Sequence, residues 1–134
     1  MNSANQYFEE AKIALSGASR DIDKVIELLD KAIEVDPRAS DSRGLKISLL
    51  LQKKQTSEAR CLINEALAIN PLDYAAKGGL VTCLLREGDL KQARRLIYEG
   101  LSSDMPDQFK KAFFGLLIDF NTYMTHAKNN SKQY

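Results

Sequence analysis

The sequence has no tryptophan, only three prolines, seven glycines, two cysteines and one histidine in 134 residues. Proline and glycine are the residues that most disfavour a helix interior, so their scarcity leaves long stretches free to run as helix. The single histidine, His126, has no positioned partner in the pattern, and a general base needs one. Serine and cysteine nucleophiles likewise lack a recognisable base. Lys77-Gly78-Gly79-Leu80 falls inside a helical pattern and lacks the spacing of a phosphate loop. An enzyme is therefore not expected, and neither a cofactor nor a metal. Cys61 and Cys83 lack metal-ligand spacing. Each lies in an apolar helical run, so both are read as buried free thiols, which suits a reducing cytoplasm. No run approaches the ~20 apolar residues of a membrane span. The first ten residues have neither the basic region nor the apolar core of a secretory signal.

Nineteen basic and eighteen acidic residues leave a net charge of +1. No global basic field favours nucleic acid. The balance shifts along the chain: residues 1–36 carry four basic and eight acidic side chains, whereas residues 37–70 carry six and three. Lys91, Arg94 and Arg95 cluster, as do Lys53, Lys54 and Arg60, but no aromatic stacking platform accompanies them. A solvated outer face is the better account.

A period emerges from what is present. Lys-Ala-Ile-Glu-Val-Asp-Pro ends at Pro37, and Glu-Ala-Leu-Ala-Ile-Asn-Pro ends at Pro71, 34 residues on. The same spacing joins Ala32 to Ala66, Val25 to Ala59 and Ala93, and Leu29 to Ile63 and Ile97. A third copy shows Gly100-Leu101 opposite Ala66-Leu67, with Met105-Pro106 one residue late. Proline cannot continue a helix and disfavours helical geometry in the residue before it, so Asp36 and Asn70 end helices. Apolar periodicity and end signals predict helices over 3–16, 21–35, 39–53, 56–69, 73–86, 90–102 and 106–127. Asp89 followed by Gln92 fits a capping box, Asp104 before Pro106 a helix start, and Gly17 and Gly88 helix exits.

A 34-residue helix-turn-helix period resembles the tetratricopeptide repeat. The third unit shows it best, in Leu80, Leu84, Glu87-Gly88-Asp89-Leu90, Ala93, Ile97 and Gly100. The resemblance implies an all-α, right-handed superhelical solenoid. Its units would span about 3–37, 38–71 and 72–105, with a capping helix at 106–127, all in one domain spanning 1–127, and a polar tail at 128–134. Ala59, Ala93 and the larger Val25 stand at the helix crossings, where a small side chain lets two axes approach closely. The sequence departs from the family where Arg43 and Lys77 replace an aromatic near the start of the first helix. Ile47 and Val81 replace a glycine within it, and unit one carries about one extra residue around Gly17-Ala18-Ser19.

The resemblance also implies a function. First helices of such units line a concave groove that holds a partner polypeptide. Matched by register, the groove candidates are Asp41, Leu45, Ser48, Leu51 and Gln52 in unit two, and Ala75, Gly78, Gly79, Thr82, Leu85 and Arg86 in unit three. Unit one offers Gln6, Glu9, Ile13 and Ser16. This lining suits an extended segment with apolar side chains. It differs from the carboxylate clamp of co-chaperone members, since Leu45 and Gly79 stand where Asn and Arg would be wanted. Gly78-Gly79 implies either close helix packing or the approach of a partner's backbone. The expected role is an adaptor or chaperone-like module, similar in size and repeat count to bacterial type III secretion chaperones.

The last predicted helix is broader in character. Phe109, Ala112, Phe113, Leu116, Leu117, Phe120, Tyr123 and Met124 share an arc that would cover the open end of a repeat array. Phe114 and Ile118 fall on an adjacent flank. That flank is a second candidate interface, and a homodimer or docking into a larger assembly is the alternative reading.

Overall fold

The computed structural model describes residues 3–18 and 20–132, with the backbone alone at 130–132. Seven α-helices occur among them: α1 Ala4–Ser16, α2 Ile22–Val35, α3 Ser40–Gln52, α4 Thr56–Ile69, α5 Tyr74–Glu87, α6 Leu90–Leu101 and α7 Asp107–Lys132. All but the last end within one residue of the sequence expectation. Ser19, in the predicted irregular turn of unit one, lies outside the described residues.

Local chemistry explains the boundaries. Ser3 and Gln6 close a reciprocal capping box at the start of α1. Asp21 caps α2 and Asp89 caps α6 through the backbone N–H three residues on. The expected box at Asp89 is only half made, because the Gln92 side chain accepts from Arg95 instead. The two proline turns repeat bond for bond. Asp36 Oδ1 accepts from Arg38 N at 3.0 Å, and Asn70 Oδ1 from Leu72 N at 3.0 Å. In each, the carbonyl of the same residue accepts from the N–H three positions on.

The interhelix turns repeat too. Gly88 N donates to Leu85 O and Asp89 N to Leu84 O. Thirty-four residues earlier, Lys54 N donates to Leu51 O and Gln55 N to Leu50 O. Gly88 has φ 81° and Lys54 has φ 60°. Both are left-handed, which glycine adopts freely and lysine does not.

The helices pack as two compact units, Met1–Asp73 and Tyr74–Tyr134. In the first, α1 packs on α2, α2 on α3 and α3 on α4. Its central cluster is Ala11, Val25, Leu29 and Leu49. Lys46 pairs with Asp30 at 2.6 Å and Lys53 with Asp23, tying α3 to α2. Such partly exposed pairs contribute at most about 1 kcal/mol each. In the second unit, α5, α6 and α7 contact one another pairwise around Val81, Leu84, Leu85, Ala93, Ile97 and Phe120. The crossing residues Val25, Ala59 and Ala93 are fully buried, as are Leu29, Ile63 and Ile97. Burying a Leu or Ile of that kind stabilises by about 1.5–3 kcal/mol.

Helix α7 carries its expected face inward. Phe113 and Phe120 are buried, and Leu116, Leu117 and Met124 pack on the second unit's core. Phe109 meets the Tyr74 ring with centroids 5.6 Å apart. Ala112 and Tyr123 are exposed, contrary to the predicted arc. Gly100 makes room for Phe113: a Cβ there would stand 2.5 Å from Phe113 Cδ2 and 3.0 Å from Met105 Cε.

Two further expectations are corrected. The chain does not leave the helix at Ala127, since residues 128–132 continue α7. Lys-Asn-Asn-Ser-Lys contains neither proline nor glycine to stop it. Residues 133–134 of the expected tail lie outside the described residues. Cys83 is buried as expected, but Cys61 is exposed. The inward face of α4 is Ala59, Leu62, Ile63 and Ala66, and Cys61 falls on the other side.

Lys54 holds a left-handed turn against its own sterics. Lys54→Gly should raise the unfolding free energy by about 0.5–1 kcal/mol, whereas Gly88→Ala should lower it by about 1 kcal/mol. Urea melts followed by circular dichroism would read both changes.

Candidate functional site

Within the first unit, α1 and α3 flank an open concavity of ≈470 Å³. Phe8, Lys12 and Leu15 come from α1, with Ser16 at its end, and Leu45 comes from α3. The walls are chiefly aromatic and aliphatic. Lys12 lies over the Phe8 ring, 5.0 Å from its centroid, and pairs with Glu9 at 3.0 Å. Its ammonium therefore lies over the aromatic face while the side chain stays half-exposed. Phe8 also lines a second cavity of ≈260 Å³ with Ala4, Asn5, Asp41 and Ser42. The two spaces share Phe8 and together make up a trough, with Leu45 beside the apolar space and Asp41 beside the polar one.

The sequence-derived candidates divide into three groups. Asp41, Leu45 and Ser16 line the trough. Ser48, Gln52, Ala75 and Arg86 are exposed without lining it. Leu51, Gly79 and Leu85 are buried, with Leu51 8% and Leu85 3% exposed. Leu85 belongs to the core of the second unit, so its expected place on a binding wall gives way to packing. Gly78 lies under α7, where a Cβ would meet Phe113 Cε1 at 3.6 Å and Leu116 Cδ1 at 3.8 Å. The partner-backbone reading of Gly78 gives way to helix packing for the same reason. Thr82 is half-buried and its hydroxyl donates to Gly78 O at 3.3 Å. In α1, Gln6 completes the capping box and Glu9 pairs with Lys12, while Ile13 is exposed.

Sequence reasoning missed Phe8, Lys12 and Leu15 as trough residues. Their i, i+4, i+7 spacing marks one face of a helix and was the available signal. The basic cluster on α6 faces solvent: Arg95 bonds Glu99 and Gln92, and Arg94 lies over Tyr98. On the flank of α7, Phe114 and Ile118 are 55% and 66% exposed. Among the described residues no three His, Cys, Asp or Glu side chains cluster as metal ligands would, and no helix is long and apolar enough to cross a membrane.

Residues 50–110 match the family model for the tetratricopeptide repeat. That segment is a tetratricopeptide repeat. The match begins at the end of α3 and reaches the first turn of α7, so it takes in the turn at Lys54 and the turn at Gly88. No curated protein matches the sequence. Tetratricopeptide repeats are non-catalytic and generally mediate interactions between proteins.

The two helical glycines that α7 touches should respond in opposite ways to the same methyl group. Gly78→Ala should stabilise by about 0.5–1 kcal/mol, because helix propensity improves and the new contacts are ordinary ones. Gly100→Ala should destabilise by about 1–3 kcal/mol through overlap with the Phe113 ring. Thermal unfolding of both variants checks the pair; a destabilised Gly78→Ala would overturn the packing account.

Proposed function

We propose that this repeat protein is an adaptor or chaperone-like module holding a segment of a partner polypeptide in the trough between α1 and α3. The observation that carries the reading is the open apolar space bounded by Phe8, Leu15 and Leu45. A half-buried aromatic beside aliphatic walls is the kind of pocket that accepts an anchoring side chain, and such anchors supply most of the binding energy of an interface. The polar end at Asp41 and Ser42 favours a segment whose apolar residues are followed by hydrogen-bonding ones. A secretion chaperone acting in the cytoplasm is one form of this reading, supported by size and repeat count.

Partner capture from the native host, followed by titration with the purified partner, tests it. Phe8→Ala and Lys12→Glu should each weaken binding about tenfold or more at unchanged helicity. Tyr98→Ala, on α6 in the other unit, should leave affinity intact. Equal affinity for wild type and both trough variants would remove the proposal.

The exposed Phe114 and Ile118 favour a second reading, self-association through α7. It expects a concentration-dependent dimer in sedimentation that Phe114→Ser dissolves. A monomer at every concentration removes it.

A further inference from the structure

Arg43 stands in the first turn of α3, 34 residues before Lys77, at a position where the sequence resemblance expects an aromatic. It is 4% exposed. A guanidinium keeps its charge in proteins, so the residue is a buried cation. Its Nη2 donates to the Pro37 carbonyl at 2.6 Å, and its Nε has no acceptor. Among the described residues it enters no ion pair. Buried charges are ordinarily paired, because desolvation without a counter-ion is strongly unfavourable. One hydrogen bond to a neutral carbonyl does not meet that need.

Space for the missing partner lies beside it. Arg43 lines a cavity of ≈330 Å³ together with Arg38, Ser40, Ile69, Asn70 and Asp73. The start of α3 and the end of α4 form its walls, α1 contributes nothing, and Arg38 and Ser40 also border the polar end of the trough. Two arginines against one aspartate leave a charge of +1 around the cavity. The N-cap residue of α3, Ala39, makes no side-chain cap bond, and Asp41 in the first turn offsets the positive end of the helix. A single negative charge balances the set. A guanidinium presents a planar fork of donors that matches a carboxylate, and Ile69 gives an apolar wall for the attached carbon chain.

We propose that this cavity binds one carboxylate group, carried by a partner polypeptide either as an aspartate or glutamate side chain or as its chain terminus. The source of the carboxylate rests on the reading of the protein as a polypeptide-binding module, whereas the site itself does not. The carboxylate accepts from the Arg43 guanidinium, which shifts slightly to offer Nε, and pairs with Arg38 at the rim.

Nuclear magnetic resonance of the arginine Nε–Hε groups in the full chain tests this, with sodium acetate titrated at constant ionic strength. The Arg43 signal should move saturably. Arg38→Ala, an exposed rim change, should weaken acetate about threefold to fivefold. Arg43→Leu should abolish binding, and if that variant does not fold, Arg38→Ala carries the test. Phe8→Ala should leave acetate binding unchanged, because Phe8 does not line this cavity. Two tripeptides, one with an internal aspartate and amidated end and one with a free terminal carboxylate and no acidic side chain, distinguish the sources. An Arg43 signal that stays still, or that chloride moves equally, means water alone satisfies Nε and overturns the proposal. So does inorganic phosphate binding more tightly than acetate, or unchanged affinity in Arg38→Ala.

Discussion

Two helices approach closely only where a small side chain lies between them, and this chain meets that condition once every 34 residues. Val25, Ala59 and Ala93 are fully buried at equivalent positions, and Leu29, Ile63 and Ile97 follow one turn later. The small residue sets the distance and the larger one fills the space that the close approach leaves. The turns depend on the same constraint. A pair of helices held that near must be joined tightly, and the α3–α4 and α5–α6 connections each use a left-handed residue with the same two hydrogen bonds. Close packing propagates to α7, because Gly100 of α6 takes the place of alanine and admits the Phe113 ring of α7.

That framework tolerates departures because it asks little of positions outside the crossing. Lys54 occupies a turn that glycine would occupy with less strain. Lys77 stands where an aromatic is expected and lies over the Tyr74 ring instead, 5.7 Å from its centroid. Arg43 goes further, since it brings a charge into the interior without an acceptor for Nε. A repeat held by nearest-neighbour contacts can absorb a local penalty of this kind without losing the fold. Departures from the repeat therefore point to places where something other than packing is at stake.

The two candidate surfaces of the first unit follow from this division of labour. α1 and α3 are both first helices of their units, and the trough between them is lined by residues that the crossing does not use. The cavity at Arg43 lies where the end of α4 meets the start of α3, again away from the crossing. Core and surface are thus assigned to different positions of one 34-residue pattern. The bonded scaffold stays constant while the exposed positions are free to vary.

The sequence alone determined the helices and, apart from the end of α7, where they stop. Those features are set by residues a few positions apart: apolar spacing along one helix, a proline two residues past a helix end, a carboxylate or hydroxyl at its start. Leu45, Asp41 and Ser16, which the sequence offers as groove candidates, border the open spaces between α1 and α3, because register along one helix is a local property. Only the tertiary structure decided which neighbouring positions remain open. Leu51 and Leu85 carry the same side chain as Leu45 on corresponding helices, yet they are buried, because burial depends on which distant segment lies against each face. The same holds for Cys61, for Gly78 beneath α7 and for Arg43, whose charge is legible in the sequence but whose lack of a partner is a fact of three-dimensional packing alone.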